Sequence, residues 1–310
     1  MAKMSRKLRH KYSTQTYRRN RNIKKIENLA INILAVAIIF LFIIFIRSIF
    51  FNEYKDVKIS LDDVKSFRIP HRNINELKHF SETQNLDFEE VLSLYSIEND
   101  FFPSKVLSSD PRSIDQNFIA NFNEIRKSYR TKDIEPYKRL FENIFNDIKY
   151  FPIPKGYAGD EDIRYMYGDS WGAVRNYKGE RTHEGTDIID RENIAGHIPI
   201  VSMTDGVLTN IGWNELGGFR IGITSESGTY YYYAHFDSFA NGLSNGSAIQ
   251  AGQLLGYMGN TGYDKKEGTK GKFPVHLHVG IMPDVSLGKG ELWVNPYPYL
   301  RYIEDSKVEY

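Results

Sequence analysis

The chain has 310 residues, enough for one good-sized domain with extra segments or for two modest domains. Its formal net charge is +1, so the chain as a whole has no electrostatic drive toward nucleic acid. The sequence contains no cysteine, which excludes disulfides, a thiol nucleophile and thiolate metal ligands.

The N-terminal segment is basic and runs directly into an apolar segment. Up to residue 25 it carries many Lys and Arg and no Asp or Glu, and residues 29–46 are apolar except for Asn32. A helix that crosses a bilayer needs about 20 residues, with a lower limit near 17. No small-x-small cleavage site follows, which favours an uncleaved anchor over a signal peptide. We predict a cytoplasmic tail over residues 1–28, a transmembrane helix over 29–51 and an extracytoplasmic remainder, since basic flanks stay inside. Because the basic block adjoins this span, a nucleic-acid role for it is the weaker interpretation.

Residues 52–150 read as a small extracytoplasmic helical region. Asp87 is a plausible N-cap, and Glu90 stands three residues on, as in a capping box. Apolar stripes at helical spacing follow, and they indicate a helical core more strongly than a ligand surface. The Pro and Gly content of residues 151–158 predicts a linker.

Residues 159–310 follow a different pattern, in which short β-rich runs alternate with Gly, Asn and Asp turns. This spacing predicts a mainly β domain built on an antiparallel sheet. The expected strands lie near residues 198–203, 206–212, 219–223, 229–235, 254–258 and 275–282. In the run 230–233 every residue is Tyr, and an alternating strand buries half of them. The charged loop 263–272 is expected to edge a substrate groove.

Four histidines and one aspartate stand out in the β region. His276 and His278 alternate with Leu277, so a strand places both on one face, and His183 and Asp187 are also an even number apart. Two histidines and one carboxylate are a common ligand set for a catalytic zinc with a fourth position left for water. Further histidines, His235 among them, then remain for proton transfer. Spacing alone leaves open which histidine has which role, and the helical zinc motif His-Glu-x-x-His is absent.

The segments His183-x-x-x-Asp187, Tyr233-x-His235 and His276-x-His278 together resemble the lysostaphin-type (LytM-like) zinc endopeptidases of bacterial cell walls. The flanking motifs are similar too, and the resemblance covers roughly residues 165–300. They include Trp171-Gly172, Arg181-Thr182, Thr204-Asp205-Gly206, the glycines of residues 252–262, and Asn295-Pro296. The Gly-Trp-Asn-Glu-Leu-Gly-Gly segment and the Pro-Tyr-Pro ending look most like membrane-anchored members from spore-forming Gram-positive bacteria.

The resemblance implies a role for each site residue. It implies that His183, Asp187 and His278 bind one Zn²⁺ per chain, with no other cofactor. It implies that His276 and His235 handle protons, with His276 as general base, and that the zinc lowers the pKa of a bound water. Tyr177, six residues before the first ligand, stands where some members have a tyrosine that contacts the oxyanion.

The expected function is therefore a membrane-anchored zinc metallo-endopeptidase that hydrolyses peptide cross-links of peptidoglycan. The alternative is a non-catalytic LytM-like scaffold or activator in a cell-envelope or sporulation complex. In that case the helical region would bind a protein partner. Complete ligand and proton-transfer sets favour the enzyme. Only the resemblance disfavours a protease of folded proteins.

Overall fold

The computed structural model describes residues 2–50, 54–101, 114, 116–156, 163–177, 179–285, 287 and 290–310. It consists of two compact units, Met1–Tyr54 and Lys55–Tyr310. The first contains a single helix, α1 (Ala2–Phe50). Within it, the 25-residue segment Ile23–Arg47 has a mean hydropathy of 3.2 and is exposed, so by length and composition it can cross a membrane. Of the helices described, it is the one that meets both criteria.

The second unit begins with a helical region. Its helices are α2 (Leu61–Lys65), α3 (His71–Gln84), α4 (Phe88–Glu98), α5 (Gln116–Ser128) and α6 (Thr131–Asp147). Asp87 caps α4 as predicted, because its Oδ1 accepts a hydrogen bond of 2.9 Å from the Glu90 amide. The Glu90 carboxylate does not complete a capping box; it accepts a hydrogen bond from Arg126 at 2.8 Å. Arg126 of α5 competes for the Glu90 carboxylate, so the reciprocal hydrogen bond from the Asp87 amide does not form.

The rest of the second unit is a β structure closed by a short helix. Its elements are β1 (Tyr165–Tyr167), β2 (Val174–Arg175), β3 (Arg181–Thr182), β4 (Thr186–Asp190), β5 (Pro199–Val201), β6 (Gly206–Asn214), β7 (Gly218–Thr224), β8 (Tyr230–Phe239), β9 (Ala248–Ile249), β10 (Leu254–Met258), β11 (His276–Met282) and α7 (Tyr297–Tyr302). Nine strands form one sheet in the order β1-β4-β11-β8-β7-β6-β9, with β10 pairing β8 and β5. The pairings are antiparallel, as the sequence predicts.

The helical region and the sheet share one hydrophobic core. The ring of Tyr299 in α7 lies 5.3 Å from Phe67 and 5.3 Å from Phe145, centroid to centroid. The carboxylate of Asp147, at the end of α6, accepts hydrogen bonds of 2.6 Å from both Ser225 and Ser227. These contacts join the helices to the strands and to the C-terminal segment.

The first four residues of the predicted linker, 151–154, are buried. Phe151 and Ile153 have no exposed surface, and the Phe151 amide donates a 2.7 Å hydrogen bond to the Ser306 carbonyl. Phe151 and Ile153 belong to the hydrophobic core, so this part of the segment packs against the domain. The helical region therefore has no separate core among the described residues, while the domain boundaries stay a prediction.

Candidate metal centre and its groove

Two adjacent strands bring the sequence-predicted site residues together. In the pairing of β11 with β4, His278 lies opposite Asp187, and His276 lies two residues away on the same face of β11. His183 enters from the loop just before β4. A Cβ on Gly185 would lie 2.3 Å from the His278 ring, so the loop can pass this ring only with glycine there.

Three donor atoms converge at this point. His183 Nε2, His278 Nδ1 and Asp187 Oδ1 lie 3.0 Å from one another along all three edges. Tetrahedral coordination at about 2.0–2.2 Å from a zinc ion would separate neighbouring ligand atoms by about 3.3 Å. The three atoms therefore match one face of such a tetrahedron to within a few tenths of an ångström.

The chemistry of these donors also fits a cation. The Ser170 carbonyl can only accept, so His183 Nδ1, at 3.0 Å, donates to it, and the lone pair of Nε2 then faces the centre. Burial works to raise the pKa of Asp187, but the close contacts with the His183 and His278 rings hold it far below its usual value. An ionised carboxylate and an imidazole lone pair at 3.0 Å require a positive charge between them. The residues present thus suit a divalent metal ion.

Two ion pairs hold the candidate ligands and their supporting loop in place. Arg175 Nη2 lies 2.5 Å from Asp187 Oδ2, the carboxylate oxygen that faces away from the histidines. The loop that carries Ser170 is held from the helical region, because Arg68 Nε lies 2.8 Å from Asp169 Oδ2. Neither arginine was predicted. In both contacts the two partners are far apart in the sequence, so no local spacing indicates them.

His276 and His235 lie beside the three donors. The rings of these two histidines are 4.6 Å apart, and His276 Nε2 is 3.8 Å from Asp187 Oδ1. Each ring donates its Nδ1–H to a backbone carbonyl, of Pro274 and Thr261 respectively, both at 2.8 Å. Each Nε2 is therefore left with a lone pair that can accept a proton.

The electrostatics and the backbone at these two histidines are also distinctive. Burial lowers the pKa of His276. The pKa of His235 lies well below its ordinary value, because this ring is buried and also lies near His276 and His278. The backbone of His235 has φ of 68°, in the left-handed region.

Tyr177 lies farther out than the histidines. Its ring stacks on Tyr263 with centroids 4.6 Å apart, and Tyr263, not Tyr177, lines the groove. Tyr263 in turn accepts a hydrogen bond of 2.8 Å from Arg181. The predicted loop edge is thus partly present, since Tyr263 begins that loop. The roles assigned to Tyr177, to the two histidines and to the three donors stay predictions.

The three candidate metal ligands, His183, Asp187 and His278, open onto a groove of about 690 Å³ across one face of the sheet. Tyr230 and Tyr232 line it, while Tyr231 and Tyr233 are fully buried on the opposite face, as alternation predicts. Its other lining residues include Arg175, Arg181, Glu184, Asn210, Asn214, Arg220, Tyr263, Glu291 and Trp293. Glycines leave room on this face: a Cβ on Gly280 would lie 2.8 Å from the Trp293 ring.

Comparison with known proteins matches this part of the chain. The profile of peptidase family M23 matches residues 181–291, which include His183, Asp187, His235, His276 and His278. The L-Ala–D-Glu endopeptidase of Bacillus subtilis (strain 168) is 38% identical over 188 residues, 59% of this chain and 53% of the relative. The glycyl-glycine endopeptidase ALE-1 of Staphylococcus capitis is 34% identical over 67 residues, 21% of this chain and 18% of the relative. The chain thus spans about half the length of the Bacillus relative and less of the other.

Among solved structures, a putative glycyl-glycine endopeptidase lytM from Ruminococcus gnavus ATCC 29149 superposes with a TM-score of 0.60. It is 39% identical, and the match covers 82% of this chain and 94% of that one. The likeness therefore extends beyond the sheet into the helical region. With the profile match over the histidine segments, it places the chain in peptidase family M23, among its LytM-like members.

Proposed function

We propose that this chain is a membrane-anchored zinc endopeptidase that hydrolyses peptide bonds of peptidoglycan. The observation that carries the proposal is the convergence of His183, Asp187 and His278 at 3.0 Å beside two histidines with free Nε2 atoms. Zinc dependence is general in family M23, and the relatives compared are named as endopeptidases.

In this proposal His183 Nε2, Asp187 Oδ1 and His278 Nδ1 hold the zinc. A bound zinc would supply Lewis acidity that makes water a nucleophile near neutral pH. Of the two proton-handling histidines, His276 lies closer to Asp187 Oδ1, with its Nε2 3.8 Å away. His276 Nε2 would therefore accept the proton that the attacking water gives up. The depressed pKa keeps this imidazole neutral and ready to accept a proton at pH 7.

His235 would serve the other side of the reaction. Its Nδ1–H bond to Thr261 fixes the ring, and its Nε2, once protonated, can donate to the oxyanion or to the leaving amine. Tyr177 would assist at the oxyanion only if its ring leaves the stack on Tyr263.

The location of the reaction is proposed from the N-terminal unit. The basic tail, residues 1–28, would stay in the cytoplasm, and residues 29–51 would cross the membrane once. Residues 52–150 and 159–310 would then lie outside, with the groove presented to the wall. A protein partner of the helical region fits the same topology.

The test is digestion of purified peptidoglycan by the full-length chain in detergent, with and without a zinc chelator. Mass analysis of the released fragments identifies the bond that is cut. We expect new amino termini that appear only with metal and that fail to appear with His276→Ala. Zinc-loaded chain that binds peptidoglycan yet releases no fragment would instead establish the scaffold alternative.

A further inference from the structure

The side chain of Arg220 lines the groove at some distance from the proposed metal ligands. In the sheet, His278 on β11 lies opposite Ala234 on β8, and β7 is the next strand. Arg220 on β7 lies at the register shift between Phe219 and Ile221, level with this pair. Two strand spacings separate Arg220 from His278, about 10 Å between Cα atoms.

The guanidinium of Arg220 has an unused donor. Its Nη1 is buried and has no hydrogen-bond partner, and within the described part of the chain no carboxylate forms an ion pair with Arg220. Glu184 and Glu291 line the same groove, but the Glu291 carboxylate accepts from Trp293 Nε1 at 2.8 Å. A buried donor without an acceptor costs free energy, so a ligand that supplies an acceptor gains there.

Two tyrosine hydroxyls complete the surroundings of Arg220. The side-chain amides of Asn210 and Asn214 donate to the hydroxyl oxygens of Tyr230 and Tyr232, each at 3.3 Å. The hydroxyl protons are therefore free to point into the groove. Each phenolic hydroxyl keeps its own proton as a donor while its oxygen accepts from the asparagine amide. A fork of N–H groups flanked by O–H donors is a set that matches a carboxylate.

We propose that Arg220 binds a carboxylate of the substrate one or two residues from the scissile bond and so selects an acidic stem peptide over a glycine bridge. An extended peptide advances about 3.4 Å per residue, which the 10 Å separation and the length of the arginine side chain accommodate. A peptide with glutamate beside the scissile bond carries such a carboxylate, whereas polyglycine carries none. The inference rests on the proposed function, because it assumes that the groove holds the peptide to be cut.

The test uses the full-length chain in detergent and two synthetic peptides. Both contain an L-Ala–D-Glu bond, and they differ only in the free glutamate carboxylate, which one of them carries as a carboxamide. Binding is measured by calorimetry in a His276→Ala background, which prevents turnover. We expect the acidic peptide to bind about 10- to 100-fold more tightly, the scale of a charge-assisted hydrogen bond. A pentaglycine peptide should bind no better than the carboxamide.

Three further variants make the result specific to Arg220. Arg220→Gln should abolish the preference, so that the acidic and carboxamide peptides bind equally, whereas Arg220→Lys should keep part of the preference, because it keeps the charge. The matched control is Arg191→Gln, an exposed residue outside the groove. Thermal unfolding of each variant shows whether it folds, and Arg220→Lys decides if the glutamine variant does not.

The outcomes separate the two proposals. Equal binding of the acidic and neutral peptides, or binding of neither, overturns the role of Arg220 whatever the activity. A carboxylate preference that depends on Arg220, with no cleavage by the chain that retains His276, supports the subsite and overturns the proposed hydrolysis. With His276 present, we expect the preference to appear in kcat/KM, mainly through KM.

Discussion

Arg175 binds the carboxylate oxygen of Asp187 that the histidines do not contact. Its Nη2 lies 2.5 Å from Oδ2, while Oδ1 lies 3.0 Å from both His183 Nε2 and His278 Nδ1. The carboxylate is thereby fixed in rotation, with one oxygen for each set of partners. A carboxylate held in this way presents a single oxygen to a metal ion, without the entropy cost of ordering it on binding.

We expect Arg175→Ala to weaken zinc affinity by about 10- to 100-fold, the usual scale for loss of an outer contact to a metal ligand. Affinity is measured by competition with a fluorescent chelator on the full-length chain. Arg175→Lys should recover only part of the loss, since an ammonium lacks the planar fork. Unchanged affinity in Arg175→Ala would show that the ion pair does not support the ligand.

His276 and His278 give a second contrast, because they share one face of β11. His276→Ala should keep zinc and lose hydrolysis by about 10²-fold or more, the scale of general acid–base catalysis. His278→Ala should lose both, since its Nδ1 is one of the three converging donors. Metal analysis and fragment release are measured on the same preparations. Exchanged phenotypes would mean that ligand and base are assigned the wrong way round.

The junction between α6 and the sheet predicts a stability effect. Asp147→Ala removes the acceptor for Ser225 and Ser227, so it should lower the free energy of unfolding by about 1–3 kcal/mol. The matched control on the same helix is Glu135→Ala, whose exposed pair with Arg139 should contribute less than about 1 kcal/mol. Urea unfolding measures both. Equal effects would mean that the junction contributes no more than a surface pair.

The cap of α4 predicts a pH dependence. Burial works to raise the pKa of Asp87, but hydrogen bonds from Lys138 and the Glu90 amide lower it overall. A carboxyl group with a lowered folded-state pKa stabilises above its unfolded pKa of about 3.9 and loses that contribution as the pH falls through the folded value. Asp87→Ala should cost about 1 kcal/mol at pH 7, and less at pH 3.

Urea unfolding of the full-length chain at the two pH values measures this difference. Asp87→Asn serves as control, because asparagine keeps the cap and removes the charge. It should lose less stability than the alanine variant at pH 7. A cost for Asp87→Ala that stays the same at pH 3 would exclude the ionised carboxylate as its source.

The membrane topology predicts a pattern of proteolysis. The basic tail should be inside, and the span should remain uncleaved. A protease added to intact wall-less cells should digest the chain after residue 52 and spare the first 25 residues, as detected with antibodies to each end. A soluble mature form that starts near residue 50 would contradict the anchor.

The sequence predicts β5, β6, β7, β8, β10 and β11, and the shared face of His276 and His278, because these depend on alternation within a few residues. It does not predict β1, β2, β3, β4 or β9 as strands. It also predicts the α4 cap at Asp87, which is a contact over three residues. It does not predict that Phe151 packs in a common core, or that Arg175 pairs with Asp187. Both depend on where distant segments meet, and composition gave the opposite expectation for the first.

The conformation of His235 has a consequence for how this position can vary. With φ at 68°, the backbone there favours glycine or asparagine over an ordinary side chain, at a cost of about 1–3 kcal/mol. A substitution that relaxes the backbone would remove the imidazole and its bond to Thr261. Backbone strain therefore favours glycine at this position, whereas the hydrogen bond to the Thr261 carbonyl requires the histidine that the chain has there.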